Sequence, residues 1–182
     1  MYAEGKMTAE PTRDAGLPAI MLLFTQRTGA LDRILSLLRR RGFPIVGMTV
    51  ERTHQADVGR MTLVVEQAKA LEQVSRHLRK LPDVLEVTTV DEDAIRREYA
   101  LVRIRCRPQE RAEVMALLSA YGARAVSLTS NFVVVEASGL GMELDALFAE
   151  LAPYGIEESA RTSPMALRRV SERPEGELTA TA

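Results

Sequence analysis

Cysteine and histidine are almost missing from this chain: Cys106, His54 and His77 are the only ones in 182 residues. A lone thiol forms no intramolecular disulfide, and neither histidine has a metal-like neighbour, so a reducing cytoplasm is the expected compartment. An excess of one charge is missing too. The 24 Lys+Arg and 25 Asp+Glu leave a formal net charge of -1, which provides no global field to hold nucleic acid or an anionic membrane. No apolar run approaches the roughly 20 residues of a membrane-spanning helix. The stretch from Met1 to Pro18 is polar, with Glu4, Glu10 and Asp14 and no hydrophobic segment of a signal peptide, so a soluble protein is expected. No Ser-His-Asp set, paired-carboxylate pattern, phosphate loop or dinucleotide fingerprint can be assembled. The sequence thus offers no catalytic centre.

What the chain does have is apolar periodicity, with 46% hydrophobic residues and only 4% aromatic, enough for one large domain or two small ones. Ala19 to Phe24 is a short continuous apolar run that suits a buried strand. Leu31, Ile34, Leu35 and Leu38 then fall at i, i+3, i+4 and i+7, predicting an amphipathic helix that ends at Arg39-Arg40-Arg41-Gly42. Ile45 to Val50 and Met61 to Val65 read as antiparallel strands joined by a polar loop from Glu51 to Arg60. A second helix carries Leu71, Val74, Leu78 and Leu81 on one side and stops at Pro82-Asp83, before a β-branched strand from Val84 to Val90.

After the charged residues Asp91 to Arg97, the order strand, helix, strand, strand, helix, strand recurs. It comprises Tyr99 to Cys106, a helix with Val114, Leu117, Leu118 and Tyr121, strands Ala125 to Leu128 and Phe132 to Val135 around Ser130-Asn131, a helix with Leu144, Leu147, Phe148 and Leu151, and Ile156 to Ala160. An α+β fold of two tandem ferredoxin-like βαββαβ sandwiches follows, an internal duplication. The expected divisions are a flexible extension over 1–18, a first domain over 19–91, a linker over 92–97, a second domain over 98–169, and a flexible tail over 170–182. Two helices cover one face of each sheet, leaving the other face and the edges for partners, so a homodimer or higher oligomer is expected.

The first strand-to-helix turn, Thr25-Gln26-Arg27-Thr28-Gly29-Ala30-Leu31, holds the main candidate site. Free N–H groups at a helix start attract anions, including carboxylates, and Gly29 would let a ligand approach the backbone. The structural alternative is that Gly29 only permits the turn while Thr28 caps the helix. Arg39 to Arg41 complement the helix dipole and point to solvent, against the alternative of gripping an acidic partner. Cys106 alternates with Val102 and Ile104, as a buried structural thiol would.

Several blocks together resemble one family. Thr28-Gly29-Ala30-Leu31 opens a helix ending Arg41-Gly42-Phe43, followed by Ile45 and Met48-Thr49-Val50. Further on come Gly59-Arg60-Met61-Thr62-Leu63, then His77 to Val87, then Arg97 to Ile104. The second half adds Phe132 to Gly139 and Tyr154 to Thr162, which closes on Ala160-Arg161-Thr162. In order and spacing, residues 19 to 169 resemble the small regulatory subunits of acetolactate synthase, whose first domain is a ligand-binding ACT domain.

The resemblance implies a chain with no activity of its own. Its relatives bind and activate a large catalytic subunit carrying thiamine diphosphate, FAD and Mg²⁺, and commonly transmit feedback by valine. It also implies ACT domains paired side by side, with a branched-chain amino-acid effector at their interface. Carried over, the effector contacts are Gly29, Ala30, Leu31 and Ile45. Two departures bear on the effector: Gln26 and Pro44 stand where the family usually has asparagine, and Ser163 replaces a glycine after Ala-Arg-Thr. The competing classes are a free-standing amino-acid-binding ACT regulator of transcription or of another enzyme, which would need a DNA-reading element in the first case, and a small enzyme with a grafted site.

Overall fold

A computed structural model describes residues 17–90 and 94–169. The extension over 1–16 and the tail over 170–182, both expected to be flexible, lie outside the described residues. In the first unit, β1 (Ala19–Thr25), β2 (Ile45–Arg52), β3 (Val58–Val65) and β4 (Val84–Val90) form an antiparallel sheet ordered β2-β3-β1-β4. Alternation along β1 turns Ile20, Leu22 and Phe24 to one face, where they join Met61, Leu63 and Val65 of β3. Helices α1 (Ala30–Arg41) and α2 (Ala68–Leu78) close that face with Ile34, Leu38, Val74 and Leu78.

The second unit repeats the plan. β5 (Ile95–Arg105), β6 (Arg124–Leu128), β7 (Phe132–Gly139) and β8 (Ile156–Arg161) lie in the order β6-β7-β5-β8, covered by α3 (Arg111–Ala120) and α4 (Gly141–Leu151). Its core joins Val102, Ile104, Val133 and Val135 to Val114, Leu118, Leu147 and Leu151. Cys106 is buried there, as its alternation predicts. The two ferredoxin-like sandwiches are therefore present.

Local expectations need correction at six places. The buried stripe of α1 is Ala30, Ile34 and Leu38, whereas Leu31 and Leu35 are 39% and 41% exposed on its flank. Strands β2 and β3 reach into the expected 51–60 loop, where the ladder continues through Glu51 opposite Arg60 and Arg52 opposite Gly59. Helix α2 ends at Leu78 rather than near Leu81. Pro82 disfavours helical backbone before it, and the chain tightens into short bonds from Lys80 to His77 and from Leu81 to Leu78. Tyr121, expected on the buried side of α3, follows that helix and is exposed.

The last two corrections concern how the units meet. Ile95 to Arg97, expected in the linker, are strand, because they pair with β9 (Met165–Leu167), an element with no visible periodicity in the sequence. The back face of the first sheet is not open throughout, since Ala19, Met21, Thr62 and Val64 are buried. At that end of the sheet Arg96 donates to the carbonyls of Leu17 at 2.6 Å and Val90 at 3.3 Å. Arg168, just past β9, donates to Glu86 at 2.7 Å and to the Thr88 hydroxyl.

Gly59 pairs with Phe24, and a Cβ built on it would lie 2.5 Å from the Phe24 ring. Phe24 is 2% exposed. Gly59→Ala is expected to cost about 1–3 kcal/mol by overpacking. Urea unfolding checks it, and an unchanged midpoint would refute the close fit.

Candidate functional site

The turn between β1 and α1 is fixed by two backbone bonds, from Thr25 N–H to the Asp83 carbonyl and from Gln26 N–H to the Asp57 carbonyl, both 2.8 Å. Gly29 is the N-cap of α1 in the left-handed region, φ 82°, and no side chain caps the helix. Thr28 therefore does not perform the capping role expected of it; Ala30 N–H donates to the Arg27 carbonyl at 3.0 Å, which leaves the N–H groups of Leu31 and Asp32 for an anion.

Around this helix start lies an open pocket of about 390 Å³, lined by Phe24, Gln26, Gly29, Leu31, Val50 and Arg52. Arg27 and Glu51 complete its rim. The pocket so combines an uncapped helix start and two guanidinium-bearing residues with apolar lining from Phe24, Leu31 and Val50. That combination suits a small ligand with a carboxylate and an aliphatic part.

Arg33 stands one turn along α1. Its guanidinium grips Asp83 at 2.5 and 2.8 Å and lies 3.0 Å from where a Cβ on Gly29 would sit. The hydrogen bonds from Arg33 hold the Asp83 carboxyl below its ordinary value against the opposing effect of burial. The pair's contribution is thus present above the unfolded carboxylate pKa and disappears as pH falls through the lowered folded value.

The six residues nominated from sequence separate into two groups. Gln26, Gly29 and Leu31 line the pocket, and Ala30 is buried beneath it at the first helical position. Pro44 and Ile45 sit at the opposite end of β2, where the Pro44 carbonyl accepts from Glu66 N–H at 3.0 Å. Six residue steps along β2 lead from Ile45 to Glu51, roughly 20 Å at about 3.3 Å each. One protomer therefore does not bring the two groups together. Sequence reasoning missed Phe24, Val50 and Arg52; had β2 been carried past Val50, its alternation would have placed Val50 and Arg52 on one face.

The equivalent turn of the second unit is closed. Pro108 opens a short 3-10 turn there, and Glu110 accepts from Arg107 N–H at 2.8 Å and pairs with its guanidinium. Burial pushes the adjacent Cys106 thiol above its ordinary value, which keeps it protonated and inert. His77 stacks edge-on against Phe43 with ring centroids 5.6 Å apart and reaches the Gln73 carbonyl. Among the described residues no group of three His, Cys, Asp or Glu could hold a metal ion, and no helix is long and apolar enough to cross a membrane. Arg39 to Arg41 are exposed in the last turn of α1, as their placement predicts.

Comparison with known proteins points to one family. Residues 97–170 match the family described as small subunit of acetolactate synthase, and residues 26–87 match an ACT domain. The probable acetolactate synthase small subunit of Archaeoglobus fulgidus is 36% identical over 151 residues, covering 82% of this chain and 95% of that protein. The acetolactate synthase small subunit of Bacillus subtilis is 35% identical over 153 residues, covering 82% and 89%. Among solved structures, the acetolactate synthase small subunit from Thermotoga maritima superposes with a TM-score of 0.79 at 25% identity, covering 85% of this chain and 98% of that one.

Proposed function

This chain belongs to the acetolactate synthase small-subunit family, and on that premise we propose that it is a non-catalytic regulatory subunit that activates a large catalytic subunit and answers to a branched-chain amino acid. The observation that carries the effector reading is the uncapped start of α1, opening into a pocket with Leu31 and Val50 on its walls. An amino-acid carboxylate fits the free N–H groups, and an aliphatic side chain fits the apolar wall. Thiamine diphosphate, FAD and Mg²⁺ belong on this reading to the catalytic partner, and the compartment is the cytoplasm.

The separation of the site into two groups argues for a pair of chains. β2 is an edge strand, flanked by the exposed Leu31, Leu35, Val46, Met48 and Val50. If β2 pairs antiparallel with β2 of a second copy about Met48 and Thr49, Ile45 of one protomer comes opposite Arg52 of its partner. Each pocket then gains Pro44 and Ile45 from the other chain, in an isologous interface that also covers the apolar flank.

Adding the purified protein to its cognate large subunit is expected to raise acetolactate formation severalfold, with no turnover by the protein alone and a dimer mass in light scattering. An unchanged rate at saturating amounts would overturn the assignment, and a monomer at micromolar concentration would overturn the shared pocket.

A further inference from the structure

The exposed sheet edges of this chain are not equally protected. β4 is held by Arg168 through Glu86 and Thr88. β8 carries Glu157 and Glu158, which pair with Arg105 and Arg103 of β5. β9 is only three residues long. Charge, cover and shortness are the usual ways of preventing an edge from recruiting another strand. β2 has none of them over most of its length, and the second copy occupies it on the reading above. Among the described residues one other edge is left uncovered over most of its length.

That edge is β6. All five of its residues are exposed, and its single charge, Arg124, stands at its first position and pairs with Glu136 of β7 at 3.0 Å, so Ala125 to Leu128 carry no charge. Its register shifts between Ala125 and Ser127, and Val126, Leu128 and nearby Phe132 are exposed apolar side chains. The turn that follows is fixed, because the Arg111 guanidinium donates to the carbonyls of Thr129 at 2.6 Å and Ser130 at 3.2 Å. From Ala125 to Leu128, β6 is thus a preformed template without charge for one more strand.

Its size selects the occupant. Five residues span only about 17 Å, and the exposed positions of the neighbouring α3 include Ala112, Ala116, Ser119 and Ala120, where α1 offers Leu31 and Leu35 beside β2. An apolar strip of this extent falls well short of the roughly 800 Å² per partner that a stable dimer buries. It suits a single added strand within a larger contact. We propose that β6 is where the second unit grips the catalytic subunit, by adding to the β6-β7-β5-β8 sheet an extended segment of that subunit with apolar side chains at alternate positions. This rests on the regulatory-subunit reading.

The test uses the full chain with its cognate large subunit. Val126→Lys combined with Leu128→Lys is expected to raise the concentration for half-maximal activation at least tenfold, while dimer mass and thermal midpoint stay as in wild type. Met165→Lys with Leu167→Lys, a matched change on the exposed face of β9, is expected to titrate as wild type. In wild type, backbone amide exchange from Ala125 to Leu128 is expected to slow when the complex forms, a readout independent of any variant's folding. Unchanged exchange, or a β6 variant that titrates as wild type, overturns the proposal while leaving the regulatory role intact. Loss of dimer mass in the β6 variant overturns it in favour of self-pairing. A wild-type protein that fails to bind the large subunit overturns both readings.

Discussion

Arg161→Ala is expected to destabilise the second unit by about 3–5 kcal/mol, the loss seen when one partner is removed from a buried ion pair. The Arg161 side chain is only 11% exposed and ties its own strand to two other elements at once. It meets Glu98 of β5 at 2.7 Å, Asp145 of α4 at 2.5 Å and the carbonyl of Gly141 at 2.8 Å. Its guanidinium also lies 5.8 Å from the centre of the Phe148 ring. Truncation removes the cation facing a Glu98 side chain that is 2% exposed, and detaches the first turn of α4 from β8. Denaturant unfolding followed by circular dichroism measures this. Glu98→Gln should be milder, since it leaves no buried carboxylate facing the gap, and a loss below 1 kcal/mol for Arg161→Ala would show the cluster to be dispensable.

The largest expected effect on binding lies at Gly29. Any side chain there must adopt a left-handed conformation, which costs roughly 1–2 kcal/mol, and must displace the Arg33 guanidinium. Gly29→Asp adds a negative charge where an effector carboxylate would sit. Losing a hydrogen bond to a charged group alone costs about 1.5–3 kcal/mol, so affinity should fall a hundredfold or more and feedback should vanish. Gly29→Ala supplies the strain without the charge and should retain part of the response. On the same reading Pro44 has no side-chain donor or acceptor where an asparagine would bond the ligand. Pro44→Asn should then tighten valine on the order of ten- to a hundredfold, at about 1.4 kcal/mol per tenfold. Calorimetric titration of valine, leucine and isoleucine into these variants decides both points: an unaltered response in Gly29→Asp excludes this pocket, and tight wild-type valine binding that Pro44→Asn fails to improve removes the role given to Pro44.

Much of this was legible in the sequence because the elements bury their apolar residues with clean periods. The stripe of α4 shows it best, since Leu144, Leu147, Phe148 and Leu151 are all buried as their spacing predicts. Helix α1 shows the limit. Period alone does not say which side of an apolar stripe meets the sheet, and Leu31 and Leu35 belong to a flank facing outward beside an edge strand. β9 was invisible because three residues are too few for a period, and it exists through tertiary pairing with Ile95 to Arg97. The turn of the candidate site was readable from Gly29, whereas its opposite wall was not. Val50 and Arg52 reach the pocket through pairing of β2 with β3, and no local pattern announces that register.

The closed turn at Arg107 and Glu110 has a consequence for how the two halves of the chain diverged. Where the first unit has an open helix start, the second unit places a glutamate of its own chain on the Arg107 N–H. The carboxylate that an anionic ligand would bring is there already built in. On the proposed reading this leaves one effector site per chain rather than two, in the first unit.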